Sequence, residues 1–179
     1  MRLLLQFADA VDRLSEHIGQ ALKWLVLFSA LISAGTALVR YGLHRGSNAW
    51  LEIQWYMFGA MFLLGAGYAL KHGEHVRVDI LFSKMSPRTQ AWVDVFGGVL
   101  FLMPTAIIIA WMSLPMVINS IHINEYSSDP GGLLRWPIKI VIPIGFVLLA
   151  LQGIADIIHK TAIALGVRGP GKTYERPVQ

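Results

Sequence analysis

Four long apolar runs, with nearly all of the charge confined between them, decide what this chain can become. The first is Trp24 to Val39, flanked by Lys23 and Arg40. The second, Ile53 to Leu70, carries no charge and opens behind Glu52. The third, Val95 to Ile121, lies between Asp94 and the segment from His122 to Glu125. The fourth, Ile140 to Ala155, lies between Lys139 and Asp156. A helix needs about 20 mostly apolar residues to cross the hydrocarbon core. The first and fourth runs reach that length if their flanking charges sit at the interface, where basic side chains can snorkel. The expected fold is therefore all-α: a four-helix integral membrane protein with no soluble domain. Only 15% of the 179 residues are charged, against about a quarter in soluble domains.

The spans are expected at about residues 23–43, 50–70, 91–121 and 138–159, within a membrane domain of residues 23–165. The third run would be roughly 40 Å long as a helix and holds Pro104 and Pro115. It should be strongly tilted or kinked. Ser86-Pro87 offers an N-cap followed by proline at the first helical position, so this helix should begin there. Leu3, Leu4, Phe7, Val11, Leu14 and Ile18 recur at helical spacing, predicting an amphipathic helix over residues 1–22. Such a helix lies on a membrane surface, against a partner, or on its own bundle. Val78, Leu81, Phe82 and Met85 predict a second interfacial helix. Gly166, Gly169, Pro170, Gly171 and Pro177 predict a disordered tail over 166–179.

The basic residues are distributed unevenly. Eleven lie before the first span, between the second and third, or after the fourth. Only Arg40, Arg45, Arg135 and Lys139 lie on the other side. The positive-inside rule then places both termini in the cytoplasm. This asymmetry accounts for the net charge of +4 without nucleic acid. Trp24 and Trp92 fall at the expected inner interface, Trp50, Trp55 and Trp136 at the outer one, and Trp111 mid-span as a packing residue.

Chemistry-bearing residues are sparse in the spans. Glu52, Asp94 and Asp156 sit at span ends, as hydrogen-bonded interfacial carboxylates or salt-bridge partners. Gln54, Asn119 and Gln152 are expected to join helices. So are the small-residue pairs Ser29/Ser33, Ala30/Ala34, Gly65/Ala69 and Ala106/Ala110. His17, His44, His72, His75, His122 and His159 all lie outside mid-membrane, which argues against a bis-histidine haem. Cysteine is absent, and no phosphate-binding loop or nucleophile triad is present. No enzyme activity and no cofactor are expected. The competing classes are a membrane redox subunit of the haem b type and a stand-alone four-helix assembly factor.

One combination is more specific. Glu52 and Tyr56 open the second span behind Trp50, and Gly65-Ala66 lies within it. His75-Val76-Arg77-Val78-Asp79 follows. The next loop holds Glu125, Ser127-Ser128, Asp129-Pro130-Gly131-Gly132-Leu133 and Arg135-Trp136-Pro137. Pro143-Ile144-Gly145-Phe146 and Leu149 to Gly153 lie in the fourth span. In order and spacing, over about residues 20–160, this resembles the small permease subunit (DctQ family) of TRAP (tripartite ATP-independent periplasmic) transporters. The Asp-Pro-Gly-Gly-Leu loop is similar to a branch handling mannitol, chloroaromatic acids and keto acids.

The resemblance implies an unfused scaffold subunit in a sodium-coupled system for organic anions, usually carboxylates. A periplasmic binding protein would deliver the anion. A large membrane subunit would hold the sodium and substrate sites and move as an elevator. Trp50, Glu52, Tyr56, His75, Arg77, Asp79, Glu125, Asp129, Arg135 and Trp136 are then candidates for subunit contacts or structural roles. No substrate or metal ligand is expected in this chain.

Overall fold

The computed structural model describes residues 1–73, 85–167 and 169. Among the described residues, four helices make the fold: α1 (Arg2–Gly42), α2 (Asn48–His72), α3 (Pro87–His122) and α4 (Trp136–Ala164). All four are long and apolar enough to cross a membrane, as the apolar runs require. The interfacial helix expected around residue 80 and the expected tail fall largely outside the described residues, as do His75, Arg77 and Asp79.

The N-terminal segment is helical and runs on into the first span. No break separates residues 1–22 from the first span; α1 is one helix of 41 residues, roughly 60 Å long. Its amphipathic half packs on its own bundle, one of the three placements its pattern allows, and only Val11 of the predicted apolar stripe is buried there. Ala8, Val11 and Ser15 are buried, with Ala8 and Val11 against Ala155 of α4. Leu3, Leu4, Phe7 and Leu14 stay exposed. Small residues let two helix backbones approach closely, so the small stripe faces α4 and the large apolar one faces outward.

α3 begins as its sequence dictates. Ser86 Oγ accepts the Thr89 N–H at 3.3 Å, and Pro87 occupies the first turn. A π-turn over Gly98–Leu102 then interrupts the α-helix. Its physical cause is Pro104, which lacks an N–H for the Leu100 carbonyl and whose ring would clash with it. Widening the preceding turn relieves the clash, and Met103 N–H bonds back to Gly98 O. Pro115 lies inside the helix without such a turn.

α4 is the common partner. It packs against α1, α2 and α3, and α1 also packs against α2. α3 meets the rest of the bundle mainly through α4. Close helix approaches depend on glycine, Gly145 and Gly98 among them. A Cβ on Gly145 would lie 2.8 Å from the Leu63 carbonyl oxygen of α2. A Cβ on Gly98 would lie 2.9 Å from Ile157 Cγ1. The open arrangement leaves much of α3 bare. Phe101, Ile107, Ile108, Trp111 and Met112 are exposed. Trp111, expected to pack, is 75% exposed and finds no place in this chain's own interior.

Candidate functional site

Asn48, Glu52 and Tyr56 are spaced four apart, so α2 presents them on one face. All three bind the loop between α3 and α4. Within that loop Asp129-Pro130-Gly131-Gly132 forms a turn closed by Gly132 N–H to Asp129 O at 3.0 Å. Proline at the second position and Gly131 at φ +72° match a type II turn, which needs positive φ at its third residue. The loop's arms pair through Ser127 N–H to Leu133 O (2.9 Å) and Arg135 N–H to Glu125 O (2.8 Å). Tyr126 and Leu134 form an isolated antiparallel bridge.

Glu52 is the latch. It is 3% exposed and the one buried ionisable side chain among the described residues. Its Oε2 accepts the Leu133 N–H at 2.6 Å, and its Oε1 accepts the Ser127 hydroxyl. Gly132 makes room, since a Cβ there would sit 2.8 Å from Glu52 Oε1. One turn on, Tyr56 donates its hydroxyl to Leu134 O at 2.8 Å; one turn back, Asn48 Nδ2 donates to Pro130 O at 3.0 Å.

Arg135 Nη2 donates to Ser127 Oγ at 3.2 Å, and its guanidinium lies 5.8 Å from the Trp55 ring centroid. Glu125 pairs with Lys139 of α4. That ammonium holds the Glu125 carboxyl below the usual carboxylate range. The pair's contribution is therefore complete above the ordinary carboxylate pKa. It is lost only as pH falls through the lowered one.

The loop end thus brings together Glu52, Tyr56, Glu125, Asp129 and Arg135. Asp129 contributes main-chain groups; its N–H donates to Ser127 Oγ at 3.2 Å. Trp136 starts α4. Trp50 lies half exposed beside a separate groove. His75, Arg77 and Asp79 lie outside the described residues. Asn48 was not singled out by the sequence, although its spacing from Glu52 and Tyr56 was there to read.

A second polar cluster joins the helices at the terminal end. Ser15 Oγ donates to Gln152 Oε1 at 2.6 Å, and Gln152 Nε2 donates to Asp12 Oδ1 at 2.7 Å. His159 Nε2 lies 3.1 Å from Asp12 Oδ2 and 3.8 Å from Asp9 Oδ1. Glu16 takes Lys71 at 2.6 Å and His72 at 3.0 Å. Lys160 pairs with Asp94 at 2.9 Å, tying α4 to α3. Asp9, Asp12 and His159 could offer three metal-ligand atoms, but the hydrogen bonds to Asp12 from Gln152 and His159 already account for the cluster's geometry. Both ends of the bundle use their polar groups to fasten helices together.

Residues 29–162 match the family model for the DctQ component of tripartite ATP-independent periplasmic transporters. The chain belongs to the DctQ family. A Haemophilus influenzae protein named as a TRAP transporter small permease protein is 31% identical over 109 residues, 61% of this chain and 67% of that one. No solved structure matches the chain. The matched DctQ region contains the whole α2 face and the latched loop.

Proposed function

We propose that this DctQ-family chain is the scaffold subunit of a sodium-coupled, binding-protein-dependent transporter for organic anions, with carboxylates as the substrate class. It fastens to the large membrane subunit, which holds the sodium and substrate sites. It also offers its latched loop to the periplasmic binding protein. The chain itself performs no catalysis and carries no cofactor.

The observation that supports this reading best is the use made of Glu52. A buried ionisable residue in a membrane protein is a functional candidate by default. Here both carboxylate oxygens are taken up by the chain's own loop. A rigid loop on long helices, with α3 bare on its outer face, suits a fixed frame. The test is assembly. A tagged large subunit should retain this chain through purification. Cysteines replacing Ile108 or Trp111 should cross-link to it, whereas independent migration of the two chains would refute the reading.

The proposed orientation places both termini in the cytoplasm and the latched loop in the periplasm of a bacterial inner membrane, in line with the basic asymmetry. Asp129→Cys should react with an impermeant thiol reagent added to intact cells with a permeabilised outer membrane. Reaction only after the inner membrane is opened would reverse the orientation.

A further inference from the structure

At the loop end, α1 and α2 diverge and leave two adjoining cavities. One is an apolar groove of about 500 Å³, with Leu31, Ile32, Gly35 and Val39 of α1 along one wall and Trp50 of α2 on the other. The second, of about 460 Å³, is lined by Arg40, His44 and Arg45 together with Ser47 and Asn48. The two share Thr36, Arg45, Gly46 and Ser47, so they are continuous. We propose that this composite site binds one anionic phospholipid, with an acyl chain in the groove and the phosphate among Arg40, His44 and Arg45.

The groove is set into the face of α1. Gly35 forms part of its wall, and a Cβ there would meet nothing within 4 Å. Leu31 to Val39 covers about 12 Å along the helix. This stretch belongs to the first apolar run, so the groove faces hydrocarbon. The charge at its mouth is one-sided. Neither cavity is lined by a carboxylate. Among the described residues neither arginine joins an ion pair. Basic residues at a membrane surface attract anionic lipid, and an arginine fork suits a phosphate.

The occupant follows from the combination. A free phosphate would use the basic cavity and leave the groove empty. An apolar helix from a partner would fill the groove and leave two guanidiniums without an anion. A phospholipid with an anionic headgroup satisfies both cavities at once. Trp50 lines the apolar groove near Ser47, which both cavities share, and an aromatic residue there suits an interfacial anchor.

Native mass spectrometry of the full-length chain tests this, using phosphatidylglycerol, phosphatidylcholine of the same acyl chains, and inorganic phosphate. Phosphatidylglycerol should bind about tenfold or more tightly than phosphatidylcholine. Replacing both arginines (Arg40→Gln with Arg45→Gln) should abolish that preference by weakening phosphatidylglycerol far more than phosphatidylcholine, whose phosphate is offset by its own choline cation. Gly35→Leu, which puts a side chain into the groove, should weaken both lipids together. Equal binding of the two lipids by the native chain would overturn the proposal. So would displacement of the lipid by millimolar phosphate, which would mark a simple anion site. In the assembled complex, a Gly35→Cys chain that cross-links to the large subunit would show a protein helix in the groove and would also overturn it.

Discussion

Replacing Glu52 with alanine should release the loop between α3 and α4 from α2. The substitution leaves the Leu133 N–H and the Ser127 hydroxyl without their acceptor, and the loss falls on a charged, buried hydrogen bond. Such bonds are the more costly ones to remove, because the abandoned donors stay desolvated. Hydrogen exchange at the Leu133 amide should rise by about tenfold or more. Glu52→Gln should lie between, since an amide keeps one acceptor oxygen but turns an NH₂ group toward donors. Asp129→Asn is the control. That side chain is exposed and the turn uses only its main chain, so exchange should not change. Unaltered protection of Leu133 in Glu52→Ala would show that the turn holds itself without the latch.

The second large effect is at a helix crossing. Gly145→Ala puts a methyl group 2.8 Å from the Leu63 carbonyl oxygen, and backbone cannot move aside as a side-chain tip can. α2 and α4 must separate, and overpacking of this kind costs about 1–3 kcal/mol. The same change at Gly97 meets open space within 4 Å. There the helical preference of alanine should leave stability unchanged or raise it by about 0.5–1 kcal/mol. The thermal unfolding temperature in detergent should therefore fall for Gly145→Ala and stay level or rise for Gly97→Ala. Equal shifts would mean that the α2–α4 contact is not close-packed.

These two sites illustrate what the sequence disclosed and what it withheld. The four spans were legible because a run of apolar residues without charge admits few other folds. The start of α3 was legible because Ser86-Pro87 is a local signal. The type II turn could be read from Asp-Pro-Gly-Gly, but its attachment to Glu52 depends on which loop returns to α2, and that is a tertiary fact. Which face of α1 meets the bundle was left open for a similar reason. Leu3, Phe7 and Leu14 suggest burial by hydrophobicity. In a membrane protein the outside is apolar too, and small residues such as Ala8 and Ser15 mark the helix contact instead. Gln152 was visible as a polar residue that could join helices; its partners Ser15 and Asp12, more than 130 positions away, were not. The π-turn could have been suspected from Pro104 alone, but proline equally permits a plain kink.

As proposed above, this chain acts as a fixed frame, required for transport while touching neither sodium nor the transported anion. The most direct test is sodium-driven uptake into liposomes holding the large subunit with its binding protein outside, measured with and without this chain at matched amounts of large subunit. The account predicts that uptake is lost without the chain, although the large subunit inserts normally. It is restored by the native chain with an unchanged number of sodium ions per anion when Glu52→Gln is substituted. Full uptake by the large subunit alone, or a changed sodium stoichiometry in Glu52→Gln, would contradict it.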